Sequence, residues 1–268
     1  MGTRSHMKRF SVPLLALLGT FPCAPQSVDQ VAVISHRGEH LAHPENTLPA
    51  FQAAIDAGAD FFELDVRTTS DGRLVLMHDG KVDRTTNGTG QVRAMTFDQI
   101  RALDAGVKFG RQFAGTKVPS FDEALQLAHG RIGVYVDSKD IAPVDLAAAL
   151  AKADMLREVV IYGGAEFLKH VLAVGPNLKV MPEADDAAIL GKLLAELKPR
   201  VVAFDARDFK DDVIAVARQA RVDIYVDRLG PADNASGWQD AVDRGAAGIQ
   251  TDRPAELVQY LRSRQRHK

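Results

Sequence analysis

From residue 31 onward, short runs of β-branched and apolar residues alternate with longer segments whose apolar positions recur at helical spacing. Nine runs read as strands: 31–36, 61–66, 73–78, 132–138, 158–162, 179–183, 201–205, 222–226 and 247–251. Amphipathic stretches lie between most of them, for example 47–57, 142–155, 187–197 and 212–220. Such alternation builds a parallel sheet covered by helices. Nine strands is one more than an eight-stranded α/β barrel uses, and one connection accounts for the surplus. Only RTTSDG separates the second run from the third, whereas a parallel crossover needs about a dozen residues or more. Asp71-Gly72 is instead a hairpin signal, so 73–78 is predicted to fold back antiparallel with position 78 opposite position 65. The expected fold is therefore α/β: a (β/α)8 barrel with a β-hairpin and a small inserted subdomain after the second barrel strand. Residues 80–128, with the turn-rich DRTTNGTG, are that insert and are expected to cover one side of the barrel mouth.

Composition narrows the class without altering the fold. The chain has 268 residues, 46% hydrophobic and 25% charged, which excludes a disordered chain, a coiled coil and a polytopic membrane protein. A net charge of −2 offers no basic footprint for nucleic acid. The single cysteine, Cys23, excludes an intrachain disulfide and a cysteine zinc cluster. Residues 1–6 read as an expression leader. Lys8 and Arg9 followed by an apolar run over 10–21 read as a signal peptide spanning 7–28, which predicts export to the periplasm or exterior. The run is too short to be a stable membrane span. Residues 29–268 then form one domain, and the basic tail 262–268 is expected to be a solvated helix end.

Strand side chains alternate faces, which locates the chemistry. In 61–66, Phe62, Leu64 and Val66 suit the layer between sheet and helices, leaving Glu63 and Asp65 to point into the barrel. Neighbouring inward carboxylates repel and are costly to desolvate, and a divalent cation relieves both problems. In 132–138, Tyr135, Asp137 and Lys139 share a face, so Asp137 offers a third oxygen ligand and Lys139 a cation for an anionic substrate. His36 and His78 close their strands and are the candidate general base and acid. Arg37 adds a second fixed cation suited to phosphate. Asn46, in Pro44-Glu45-Asn46-Thr47, is the expected helix cap. Walker loop, dinucleotide fingerprint, GxSxG and HExxH are all absent from the sequence.

The ordered string HRG, PENT, ELDV, MHD, DRTTNGTG, LDAG, PSFDEAL, VDSK and GIQTDRP resembles the glycerophosphodiester phosphodiesterase family over residues 31–262. The resemblance implies a TIM barrel that hydrolyses glycerophosphodiesters to sn-glycerol 3-phosphate and an alcohol with one divalent cation, Ca2+ or Mg2+. By motif, His36 and His78 resemble the catalytic pair, Glu63 and Asp65 two metal ligands, and Arg37 and Lys139 the phosphate contacts. Position 137 departs from the family's common glutamate, and its shorter aspartate implies a metal nearer to 132–138 or a bridging water. Glu183, the inward glutamate of MPEAD, is a further candidate for the substrate site. The resemblance also suggests attack by the glycerol 2-hydroxyl, giving a cyclic intermediate that water opens. A lysophospholipase D-like or sphingomyelinase D-like activity on lipids is the alternative, and it expects an apolar surface at the mouth built from residues such as Phe109 and Phe113. A phosphate-ester binding protein without catalysis is a second alternative, against which the intact His36, His78, Glu63 and Asp65 speak.

Overall fold

Eight parallel strands form a ring in this computed structural model, which describes residue 2 and residues 30–268. The expected signal segment, Cys23 and all of the leader but residue 2 lie outside the described residues. The barrel strands are β1 (Ala32–Ser35), β2 (Phe61–Thr68), β4 (Gly133–Ser138), β5 (Val159–Tyr162), β6 (Val180–Met181), β7 (Val201–Phe204), β8 (Asp223–Asp227) and β9 (Gly248–Thr251). Around the ring they run β6-β5-β4-β2-β1-β9-β8-β7, and the seam between β6 and β7 is a single bridge, Glu183 to Ala203. β6 is short for a local reason: Pro182 follows it and has no N–H to continue the ladder, although its carbonyl still accepts from the Ala203 amide at 2.9 Å.

The outward faces of the strands meet the helices. Phe62, Leu64, Val66, Val134 and Val136 are fully buried there, with Phe62 stacked on Phe51 of helix α1 (Leu48–Asp56) at 4.4 Å between ring centroids. Truncating either ring to alanine would cost about 3–5 kcal/mol. The inward faces carry Ile34, Tyr135, Val160, Met181, Val201 and Ala203, an apolar plug that fills the lower barrel and leaves only its upper end for polar chemistry.

The third run does fold back: β3 (Leu74–Leu76) pairs antiparallel with β2, but the register is shifted by one residue from the expected one. Val66 faces Leu76, and the Met77 amide donates to the Asp65 carbonyl, so Asp65 is level with Met77 rather than with His78. The cause is the turn. Thr69 and Arg73 close a three-residue loop, Ser70-Asp71-Gly72, with Gly72 at φ +76° in the left-handed region that such a loop requires. After β3 the chain makes a small separate core from Val75, Met77, Val82, Val92, Ile100 and Val118, which includes helix α2 (Phe97–Arg101). Helix α3 (Phe121–Ala128), started by a Ser120–Glu123 capping box, packs Phe121, Ala124, Leu125 and Ala128 into the main core. The excursion predicted over 80–128 thus ends before α3, which is the barrel's own helix.

The remaining helices follow their strands: α4 (Pro143–Lys152), α5 (Ala165–Val174), α6 (Ala187–Leu197), α7 (Asp211–Ala220), α8 (Ala235–Asp243) and α9 (Pro254–Arg262). The tail beyond α9 is not simply solvated, as expected, but docks beneath the barrel. The Arg266 carbonyl accepts from the Val31 amide at 2.8 Å, and His267 Nε2 contacts Asp60 Oδ2 at 3.0 Å. No helix among the described residues is long and apolar enough to cross a membrane.

Candidate functional site

At the C-terminal ends of the strands, one pocket is lined by His36, Arg37, Glu63, Asp65, His78 and Asp137, with Tyr162, Glu183, Asp227 and Gln250 on its other walls. Strand register explains the carboxylates. Asp65 of β2 is level with Asp137 of β4, and Glu63 with Tyr135, so alternation turns both aspartates and Glu63 inward. Oxygens from Glu63, Asp65 and Asp137 lie within 4.8 Å of one another. Glu63 and Asp65 are buried. Burial first, then Asp65 and Asp137, push the Glu63 carboxyl well above the usual carboxylate range. Burial also raises Asp137, against the opposing pull of Lys139. Lys139 Nζ lies 2.6 Å from Asp137 and 3.1 Å from Asp65, so its ammonium is bound into the cluster. Hard oxygen donors, tightly grouped and electrostatically unfavourable together, fit a hard divalent cation. Aspartate at 137 does not take its carboxylate out of that group.

Arg37 enters through an unusual backbone. It has φ +53° and Gly38 has φ +78°, so two consecutive left-handed residues turn the chain after β1. The turn aims the Arg37 amide at Glu63 Oε2, 2.7 Å away. At Gly38 a β-carbon would stand 2.7 Å from the Ala50 backbone, which is why the HRG motif needs glycine there. The Arg37 guanidinium touches Glu45 at 3.2 Å, and its buried Nε makes no hydrogen bond but stands 3.6 Å from Asp65 Oδ2 as an ion pair. Arg37 lines the pocket, where its fixed positive charge suits an anion.

The two histidines are held alike. His36 Nδ1 lies 2.8 Å from Asp252 Oδ1, and His78 Nδ1 lies 2.8 Å from Asp79 Oδ1. A proton on Nδ1 donated to a carboxylate leaves Nε2 as the basic nitrogen of each ring. Burial would raise Asp252, but its hydrogen bond and charge contact with His36 hold it below the usual range. The Asp252 amide is anchored on Asp233, a buried carboxylate that also takes Trp238 Nε1 and Thr251 Oγ1. His78 is kept in place despite the shifted register by Arg67, whose guanidinium donates to the carbonyls of Met77 and His78.

Asn46 is not the helix cap expected of it. It stands at φ +55°, Thr47 takes the cap position, and the Asn46 side chain clamps Asp65 instead. Its Nδ2 donates to Asp65 Oδ2 at 2.7 Å while its Oδ1 accepts from the Asp65 amide at 3.0 Å. Asp252, Asp79, Arg67, Asp227 and Gln250 were not singled out from sequence. Asp252 and Gln250 sit in the quoted GIQTDRP string, and inward alternation on β8 and β9 was the available signal for Asp227 and Gln250. Glu183 lies across the pocket, exposed and accepting from the Tyr162 hydroxyl. His40, assigned to a loop, approaches the same Asp252 oxygen at 3.1 Å. Phe113 packs edge-on against Phe109 and His43, and Phe109 is the exposed member of the aromatic pair.

Residues 36–256 match the glycerophosphoryl diester phosphodiesterase family. A glycerophosphodiester phosphodiesterase of Caldanaerobacter subterraneus is 39% identical over 156 residues, covering 55% of this chain and 64% of that protein. One from Bacillus subtilis is 34% identical over 191 residues, covering 61% of this chain and 65% of its own length. The chain thus spans less than two thirds of these curated relatives. Among solved structures, a glycerophosphodiester phosphodiesterase from Agrobacterium tumefaciens superposes with a TM-score of 0.78 at 32% identity, covering 85% of this chain and 99% of that one. A phosphodiesterase from Oleispira antarctica, solved with its product sn-glycerol 3-phosphate, shares the fold at TM-score 0.78 and 20% identity, covering 87% of this chain and 97% of that one. With a match across most of its length and a barrel of the same form, this chain belongs to the glycerophosphoryl diester phosphodiesterase family.

Proposed function

We propose that this protein hydrolyses glycerophosphodiesters to sn-glycerol 3-phosphate and an alcohol, and that Glu63, Asp65 and Asp137 hold one divalent cation, Ca2+ or Mg2+. The observation that carries the reading is the convergence on one pocket of three carboxylates and two histidines, each ring tied through Nδ1 to its own carboxylate. Family membership and the product named for the Oleispira antarctica enzyme support the substrate class. The bound cation would supply positive charge to the non-bridging phosphoryl oxygens.

The chain's own groups do the rest. Arg37, which lines the pocket, presents its guanidinium charge to the phosphoryl oxygens, and the Lys139 ammonium offsets the charge that grows on them. His36 Nε2 takes the proton of the attacking glycerol 2-hydroxyl, with Asp252 stabilising the resulting imidazolium. His78, protonated and steadied by Asp79, donates from Nε2 to the oxygen of the departing alcohol. Water then opens the cyclic phosphate with the two roles exchanged. Export as a signal-bearing precursor is part of the same proposal and rests on the sequence of residues 7–28.

The test is turnover of sn-glycero-3-phosphocholine after removal of metal by chelation, with Ca2+ or Mg2+ restored. His36→Ala and His78→Ala are each expected to lower kcat by about 10²–10⁴ with the fold retained. Full turnover by either variant, or by the chelated protein, refutes this reading.

A further inference from the structure

On the wall formed by β8 and β9, the pocket carries a polar pair that this chemistry leaves unused. Asp227 closes β8, and Gln250 of β9 stands opposite it in register. Gln250 also pairs with Ile34, which places it one inward layer below His36 on the neighbouring strand. It is 6% exposed, lines the same pocket as His36 and Glu63, and donates Nε2 to Asp227 Oδ1 at 3.0 Å. That bond fixes the amide and turns Oε1 away from Asp227, where Oε1 has no hydrogen-bond partner. A buried acceptor without a donor is costly, so the wall is short of one donor.

Asp227 completes the requirement. Burial, with Glu183 and Asp205 after it, pushes its carboxyl up to about 8, so at neutral pH the group can donate as well as accept. An acceptor beside a group of mixed character is the complement of an alcohol, which both gives and takes one hydrogen bond. A quaternary ammonium has no N–H and cannot satisfy it. The pair lies on an inward layer of the barrel, below His36, and its complement among the parts common to every glycerophosphodiester is a glycerol hydroxyl. Resting on the phosphodiesterase reading, we infer that Asp227 and Gln250 form the subsite for the substrate's glycerol 1-hydroxyl, the hydroxyl not consumed in the attack on phosphorus.

The inference is tested by comparing kcat/KM for sn-glycero-3-phosphocholine with that for its 1-deoxy analogue, which keeps the 2-hydroxyl. A site built to bond a hydroxyl rejects the analogue that lacks it, so the wild type is expected to favour the full substrate by about 10²-fold or more. In Gln250→Leu the ratio is expected to fall below about tenfold, because the orphan acceptor has gone. Equal turnover of the two compounds by the wild type overturns the subsite and leaves the phosphodiesterase reading standing. A ratio unchanged in Gln250→Leu overturns the assignment to this pair, and no turnover of either compound by the wild type overturns both proposals. Product inhibition provides a measurement that needs no variant. There sn-glycerol 3-phosphate is expected to bind the wild type about tenfold or more tighter than propane-1,2-diol phosphate, and equal inhibition constants overturn the inference.

Discussion

Replacing Glu63 by glutamine separates what the carboxylate cluster costs the fold from what it does for a cation. Oxygens of Glu63, Asp65 and Asp137 lie within 4.8 Å of one another, so each ionised pair repels by about 3.5 kcal/mol at an effective dielectric of about 20. Arg37 and Lys139 offset part of this, and a net relief of about 2 kcal/mol is expected when Glu63 loses its charge. Glutamine keeps the volume and an acceptor for the Arg37 amide, so packing is preserved. The sign follows from the raised Glu63 carboxyl: the folded state holds its proton more tightly than the unfolded chain. Its contribution is therefore fully present below the unfolded value of about 4.3 and lost as pH rises through the folded value, so the variant's advantage grows with pH. In EDTA at pH 8, Glu63→Gln should melt roughly 4–8 °C above the wild type for a barrel of this size. A cation at 100 times its Kd should stabilise the wild type by about 2.7 kcal/mol and leave the variant nearly unmoved. The assay is thermal unfolding with EDTA, Ca2+ or Mg2+. A variant less stable than the wild type in EDTA, or a wild type indifferent to both cations, refutes the reasoning.

Asn46→Ala removes both bonds that hold Asp65 and should raise the cation concentration for half-maximal activity by about 10–100-fold, read from a cation titration. Asp252→Ala frees the His36 ring and should lower kcat by about 10²–10³. Since the two residues act as one unit, the His36→Ala/Asp252→Ala double variant should be no slower than His36→Ala alone, and additive losses would contradict the pairing. Asp227, raised to about 8 by burial, should make the metal-free wild type lose stability as pH climbs from about 4 to 8 and level off above, by up to about 1.4 kcal/mol per pH unit. Asp227→Asn should flatten that slope in urea unfolding, and an identical slope would show that another group titrates.

Much of the barrel was legible because period-2 and period-3.6 patterns alternate cleanly along the chain. Inward and outward faces of β2 and β4 could be assigned from the contrast between Phe62, Leu64, Val134 and Val136 on one side and Glu63, Asp65 and Asp137 on the other. The hairpin was legible in kind but not in register, since Asp71-Gly72 reads as a two-residue turn until backbone geometry adds Ser70 to the loop. Asn46 shows a different limit. Asparagine before a helix is both a good cap and one of the few residues at ease at positive φ, and only the approach of β2 decides which property is used. Asp252 and Asp79 were missed as partners because the meaning of a carboxylate at a strand end depends on the imidazole beside it, and His36 and Asp252 are joined only when β9 closes against β1.

Charge balance ties these features to the order of events on the proposed cycle. Glu63, Asp65 and Asp137 bring three negative charges when ionised, and Arg37 and Lys139 return two, so the bare cluster carries an excess of one. A divalent cation alone would reverse that excess, and a phosphodiester, which carries a single negative charge, then restores neutrality. Cation and substrate should therefore reinforce each other's binding beside the buried Glu63 and Asp65, where solvent screens charge poorly. Hydrolysis converts the diester to a monoester with nearly two negative charges at neutral pH. The product leaves the pocket with an excess charge that the substrate did not have, opposite buried carboxylates that cannot move away. On the proposed cycle, Glu63 and Asp137, which burial first and neighbouring carboxylates after it make reluctant to ionise, would favour release of the more highly charged monoester once the alcohol has gone.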